Sequence, residues 1–376
     1  MLSASKMLTR STAAGGSLRS ATAAVCIASQ RWASNMQCRL AARPIGLPKD
    51  SDWKFTEEPI PEAKTDGDVV VKTLALSIDP AMRGWMNDAR SYLPPVQIDE
   101  VMRAGGVGKV VSSKNPKFTV GSHVSGSWGV QEYAYMPKEI QSTIGLTNID
   151  MKLGNVSQWL NPLGMPGMTA YFGLLDVCGP VKAGETIVVS AASGAVGQTV
   201  GQVAKARGLR VVGIAGGAEK CAFAVNELGF DACIDYKSGP KAVSKGLSEH
   251  CPKGVDIFFD NVGGEILDTV MTRLRRNARI AICGAISQYN NTTAVEGPAN
   301  YLSLLVNRAK MQGFIVFDYA PRYMEGIQEI SQLIKEGKFI SKEHVESGGV
   351  KAFPAVLNKL FAGENFGKLV LKIADE

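Results

Sequence analysis

The chain has 376 residues, 45% of them hydrophobic and 20% charged, with a formal net charge of +6. That length exceeds what one hydrophobic core ordinarily fills and predicts two folded parts; no run of about 18 apolar residues is present, which excludes a membrane-spanning helix. Nor does the charge argue for nucleic acid as a partner, because its excess is concentrated at one end of the sequence.

That end is residues 1 to 49, which contain no Asp or Glu but carry Lys6, Arg10, Arg19, Arg31, Arg39, Arg43 and Lys49 among many Ser, Thr and Ala. The composition predicts an organellar transit segment over residues 1–32. Arg31 followed by Trp32, Ala33 and Ser34 resembles a mitochondrial processing site, with cleavage near Trp32 or Ala33 and a destination in the mitochondrial matrix. Loss of Lys6, Arg10, Arg19 and Arg31 would lower the net charge by four. The competing reading is a secretory signal whose apolar core is Ala21 to Ala28, a short and weak core for that purpose.

From Arg43, short strand-like runs (Asp68 to Ile78, Val107 to Ser112, Val120 to Ser125, Gln131 to Met136) are punctuated by Gly and Pro and predict a β-rich first domain over 43–160. From residue 161 the pattern changes to strands alternating with helical spacing of apolar residues, predicting a doubly wound α/β domain with a parallel sheet over 161–339. Its predicted strands are Thr186 to Ser190, Leu209 to Ala215, Ala232 to Tyr236, Val255 to Asp260, Ala278 to Gly284 and Met311 to Phe317. Helical segments include Ala218 to Leu228, Glu265 to Arg276 and Arg322 to Lys335. The tail, ending in the alternating strand Gly367 to Ile373, is expected to return with residues 340–376 to the first domain and to leave the active site in the cleft between the two.

The first strand of the α/β part runs into Ala191-Ala192-Ser193-Gly194-Ala195-Val196-Gly197-Gln198-Thr199-Val200-Gly201. Gly194 and Gly197 leave room for backbone N–H groups to approach a pyrophosphate, and Gly201 lets the next helix, running to about Arg207, pack on the strand. A glycine pattern alone also fits an ordinary tight turn. Glycines recur after other strands, at Gly216-Gly217, Gly263-Gly264 and Gly284, all at the sheet end where such folds bind dinucleotides. The second strand lacks the terminal acid that would accept from the 2′-hydroxyl of NAD, and Lys220 follows it, so NADPH is the expected cofactor. A solvated Lys220 is the alternative, and the missing acid carries more weight. Tyr236, closing the third strand, would cover the adenine or touch the 2′-phosphate.

Seven cysteines (26, 38, 178, 221, 233, 251 and 283) form no Cys-x-x-Cys pair, and His123, His250 and His344 stand in no ligand spacing, so no metal is expected. The odd cysteine count fits a reducing compartment.

Several motifs together carry a family resemblance. They are Asp79-Pro80-Ala81-Met82-Arg83-Gly84, Met165-Pro166-Gly167-Met168-Thr169-Ala170-Tyr171, Gly194 to Gly197, Gly216-Gly217-Ala218-Glu219-Lys220-Cys221, Asp260-Asn261-Val262-Gly263-Gly264, Cys283-Gly284-Ala285-Ile286-Ser287-Gln288-Tyr289-Asn290, Gln312-Gly313-Phe314-Ile315-Val316 and Asn365-Phe366-Gly367-Lys368. From about Ile45 to Ile373 the chain resembles the zinc-independent medium-chain dehydrogenases/reductases, in the branch of leukotriene B4 12-hydroxydehydrogenases, prostaglandin reductases and alkenal double-bond reductases. The 216–221 segment and Cys251-Pro252-Lys253-Gly254 look most like the bacterial curcumin reductases. The resemblance implies a Rossmann sheet inserted in a GroES-like substrate domain, and a homodimer.

It also implies NADPH-dependent reduction of the C=C bond of an α,β-unsaturated ketone or aldehyde. Gly194, Ala195, Val196 and Gly197 would hold the pyrophosphate, and Lys220 and Tyr236 the 2′-phosphate end. Asn261, the loop Cys283, Gly284, Ala285, Ile286, Ser287, Gln288 and Tyr289, the segment Phe314, Ile315 and Val316, and Asn365 would line the nicotinamide half. The family usually has Tyr where this chain has Ala81, so the substrate pocket is altered there; Tyr92 either takes part of that role or packs a loop. Chemically, hydride delivery to the β-carbon of an enone leaves an enolate that needs a hydrogen-bond donor, and Tyr289 is the candidate, against the alternative that it only packs on the cofactor. Two other functions share the fold, namely a quinone oxidoreductase or an enoyl-thioester reductase, and a protein that binds NADPH without catalysis.

Overall fold

The computed structural model describes residues 34–376, so the predicted transit segment lies outside the described residues. The first domain opens earlier than Arg43. Strands β1 (Ser34–Leu40) and β2 (Trp53–Pro59) form a two-stranded antiparallel sheet. No alternation announces β1, because its buried positions include polar Asn35, whose amide donates to the Tyr133 carbonyl and accepts from the Tyr133 N–H.

Strands β3 (Val69–Ser77), β4 (Gly105–Ser113), β5 (His123–Ser127), β6 (Tyr133–Met136) and β7 (Thr147–Asn148) belong to a second, larger sheet, with the short helix α1 (Ala81–Trp85) after β3. Where residues 120–125 predicted a strand, β5 starts at His123, since Gly121 takes a positive φ in the turn before it. This sheet packs on a core that includes Trp53, Leu76, Met82, Trp85 and Phe353.

Helix α2 (Met165–Phe172) leads into six parallel strands, β8 (Thr186–Ser190), β9 (Arg210–Ala215), β10 (Ala232–Asp235), β11 (Val255–Asp260), β12 (Leu274–Ile282) and β13 (Lys310–Gly313), in the order β10-β9-β8-β11-β12-β13. Helices α3 (Ala195–Ala206), α4 (Ala218–Asn226), α5 (Ala242–His250), α6 (Gly264–Met271) and α7 (Leu302–Asn307) connect them. The central strands β8 and β11 are buried at every residue, as expected for a sheet covered on both faces. The strand order reverses between β8 and β11, which is where such sheets open a ligand crevice.

Two sequence expectations need correction here. The helix predicted over Glu265 to Arg276 stops at Met271, and β12 already begins at Leu274, because Leu274 pairs with Val255 across the sheet. The sixth strand ends at Gly313 instead of Phe317; Val316–Arg322 then turn as a 3-10 helix that packs Tyr319 on Phe172 at 4.9 Å. After α8 (Tyr323–Lys335), strand β14 (Glu343–Glu346) pairs with β15 (Lys368–Lys372), with α9 (Phe353–Ala362) between them, and β15 lies antiparallel to β3. Among the described residues no helix is long and apolar enough to cross a membrane.

Candidate active site

The carboxyl ends of the parallel strands open onto a cavity of about 700 Å³, whose other wall comes from the first domain and the returning tail. Every site residue expected from the sequence lines this cavity except Ala285, whose N–H donates to the Tyr289 hydroxyl at 3.1 Å.

At the glycine-rich turn, Gly194 stands at the start of α3 with no side-chain cap, so no side chain competes for the N–H groups of the first turn. A Cβ on Gly197 would fall 2.3 Å from the Ala191 carbonyl oxygen, so glycine there is needed for the turn's own backbone packing. Gly201 is also required, but not for contact with the strand as the sequence suggested: its missing Cβ leaves room for the Phe230 ring, which would otherwise lie 1.9 Å away.

The far end of the cavity is cationic. Lys220 Nζ donates to the Gly363 carbonyl at 2.7 Å, and burial together with the neighbouring Lys237 lowers the pKa of its ammonium. Tyr236 packs over Gly216, whose Cβ would meet the ring and hydroxyl at 2.9 Å. Lys237, which the sequence reading passed over, also lines this end and lies 6.0 Å from the Tyr236 ring centroid. A half-buried ammonium that a neighbouring lysine makes costlier marks a place suited to an anion.

The middle of the cavity is built on the buried Asp260, which accepts from the Ser190 hydroxyl at 2.8 Å and from the N–H groups of Val262 and Gly263 at 3.0 and 3.1 Å. This sets the turn that presents Asn261, whose amide donates to the Ser190 carbonyl at 2.7 Å. Across from it, Asn365 donates to the Gly367 carbonyl at 2.7 Å, and Phe314 meets Phe259 edge-to-face. Burial pushes the Cys283 thiol up to about 12, so it stays neutral.

Tyr289 reaches the cavity from the loop after β12. Its oxygen accepts from Ala285, which leaves its own hydrogen free to donate, and burial raises its pKa above the ordinary value of 10.0. Ala81 and Tyr92 line the first-domain wall; the Tyr92 hydroxyl accepts from Trp85 Nε1 at 3.0 Å, and its ring lies 6.2 Å from Phe317.

Sequence reasoning missed a buried ion pair on that wall. Lys368 Nζ donates to Asp79 Oδ1 and to the Ile78 carbonyl, each at 2.7 Å, and Ser77 donates to the other Asp79 oxygen. Both residues sit in the quoted motifs, but a pair 289 positions apart leaves no local signal. None of the three histidines lines the cavity, and the described residues contain no cluster of three His, Cys, Asp or Glu able to hold a metal.

Residues 36–144 match the family described as the N-terminal domain of oxidoreductase, and residues 195–335 match the family described as zinc-binding dehydrogenase. The NADPH-dependent curcumin reductase of Escherichia coli is 42% identical over 352 residues, covering 92% of this chain and 99% of the relative. The NADP⁺-dependent 2-alkenal reductase of Nicotiana tabacum is 42% identical over 346 residues, covering 91% and 98%. Among solved structures, CurA from Vibrio vulnificus in complex with NADPH superimposes with a TM-score of 0.82 at 43% identity, covering 91% of this chain and all of that one.

Proposed function

This chain belongs to the zinc-independent medium-chain dehydrogenase/reductase family of NADPH-dependent reductases, and from that premise we propose that it reduces the C=C bond of α,β-unsaturated ketones and aldehydes. The cavity fits the cofactor: the uncapped helix start at Gly194 would hold the pyrophosphate, and the Lys220 and Lys237 ammonium groups, which line the same cavity, would hold the 2′-phosphate. When bound, NADPH supplies the hydride that adds to the β-carbon of the substrate.

The observation that carries the chemistry is Tyr289. As the β-carbon gains hydride, the π electrons move onto the carbonyl oxygen, and an enolate develops that needs a donor already in place. The Tyr289 hydroxyl, held by Ala285 with its hydrogen free and kept protonated by burial, is such a donor. The α-carbon then takes a proton from water, which gives the saturated carbonyl product. Ala81 and Tyr92, which both line the cavity, would shape the substrate side of the pocket.

The test is a panel assay with NADPH after dialysis against a strong chelator, comparing an aryl enone, a 2-alkenal, a quinone and a crotonyl thioester. Preference for the enone and alkenal, undiminished by the chelator, is the expected result. Preference for the quinone or the thioester overturns the assignment, and tight NADPH binding without turnover of any substrate assigns a non-catalytic role.

The assembly we infer is a homodimer. Strand β13 is an edge strand exposed at all four residues, and beside it Leu302, Leu305 and Val306 are 57%, 76% and 65% exposed. A second copy of the chain, pairing edge to edge, would satisfy the free backbone groups and cover these side chains. Light scattering at micromolar concentration should give twice the mass of one chain, and Leu305→Glu should halve it. A wild-type monomer would refute the inference.

The location we infer is the mitochondrial matrix, supported by the basic, acid-free segment ahead of β1 and by a family match that starts only at residue 36. Residues 1 to 45 fused to a fluorescent reporter should carry it into mitochondria; a cytosolic or secreted reporter would exclude the idea.

A further inference from the structure

Arg83, in the Asp79 to Gly84 motif, does not line the cavity, yet it is only 3% exposed and its side chain makes four hydrogen bonds. It donates to the carbonyls of Pro44 and Gly46, each at 3.0 Å, to Asn87 Oδ1 at 2.5 Å and to Asn290 Oδ1 at 3.1 Å. The first three partners belong to the first domain. Asn290 belongs to the nucleotide-binding domain and directly follows Tyr289.

The loop that carries Tyr289 is fixed at its other end by its own domain. Ser287 donates to the Val262 carbonyl at 2.6 Å, and Gln288 N–H to the Ala285 carbonyl at 2.8 Å. These contacts and the Ala285 N–H hold the loop and the phenol oxygen, but they leave the loop's exit unanchored to the domain that presents the substrate wall. The Arg83 to Asn290 contact supplies that anchor across the cleft.

We propose that Arg83 and Asn290 are positioning residues that set the Tyr289 hydroxyl against the substrate carbonyl, a reading that rests on Tyr289 being the enolate donor. A donor helps the reaction only at the place where charge develops, and displacement of about 1 Å can cost as much as 10²-fold. A latch that joins the two walls of the cleft fixes that distance without touching a reacting atom.

Asn290→Ala is the decisive variant, because Arg83 keeps its three partners in the first domain and the fold need not suffer. Its thermal unfolding should match wild type, and NADPH affinity by fluorescence titration should stay within about twofold. Enone turnover should fall roughly tenfold, with a smaller change in Michaelis constant. Asn290→Asp, which keeps the acceptor, should restore most of the loss. In a Tyr289→Phe background, Asn290→Ala should cost less than about twofold, since the group it positions is gone.

Wild-type turnover for Asn290→Ala beside an impaired Tyr289→Phe overturns the latch alone. Equal losses from Asn290→Ala in both backgrounds also overturn it, by showing a general structural effect. A silent Tyr289→Phe instead overturns the catalytic reading of Tyr289 and the latch with it.

Discussion

Tyr289→Phe should lower turnover of an enone by roughly tenfold to a hundredfold, or about 1.4 to 2.7 kcal/mol of transition-state stabilisation. The substitution removes the one hydrogen that the geometry leaves free for the enolate and keeps the ring that packs beside the cofactor site. NADPH affinity should therefore change little, and the loss should appear in turnover more than in Michaelis constant. The range is wide because a ribose hydroxyl of the bound cofactor would offer the enolate a second donor. Burial raises the pKa of the phenol above 10.0, so its ionisation should not limit wild-type turnover anywhere below that pH. The check is stopped-flow measurement of hydride transfer with deuterated NADPH. Unchanged turnover with a full isotope effect would reduce Tyr289 to a packing residue.

The double variant Lys220→Ala/Lys237→Ala should weaken NADPH binding by roughly tenfold to a hundredfold while leaving NADH within about twofold. Each charge-assisted hydrogen bond to a phosphate is worth about 1.5 to 3 kcal/mol, and partial exposure of the lysines trims that figure. In the wild type, NADPH should bind at least about tenfold tighter than NADH, ~1.4 kcal/mol, because no acid stands at the end of β9 to favour the unphosphorylated ribose. Lys220→Ala alone should erode the gap only in part, since Lys237 remains at the same end of the cavity. Paired titrations with the two cofactors measure this. Equal affinities in the wild type would contradict the assignment of this end to the 2′-phosphate.

Much of the fold was legible in the chain. The runs 186–190 and 255–260 are strands with the predicted bounds, because a strand buried on both faces is apolar along its middle, here Ile187 to Val189 and Ile257 to Phe259, and so announces itself locally. The glycine turn before α3 and the missing acid after β9 were equally local signals, and both glycines of that turn, Gly194 and Gly197, line the cavity. The resemblance of the motifs pointed to the residues that would line the nicotinamide half, and the need of an enolate for a donor pointed to Tyr289.

What the sequence did not show depends on contacts between distant segments. β12 starts at Leu274 because Val255 pairs with it, although residues 265–276 by themselves carry helical spacing. β1 holds polar residues that become acceptable only when Asn35 meets the backbone of Tyr133. Gly201 is explained by Phe230, not by the strand it follows. Lys237 could have been suspected from its place after Tyr236, but no pattern pairs Asp79 with Lys368 or Arg83 with Asn290. Each of those pairs joins residues more than 200 positions apart. Local periodicity reports which face of an element is apolar; it holds no information on which polar side chain will meet a partner from the other end of the chain. Burial of a charge is tolerable only where such a partner is supplied, and only the folded chain supplies it.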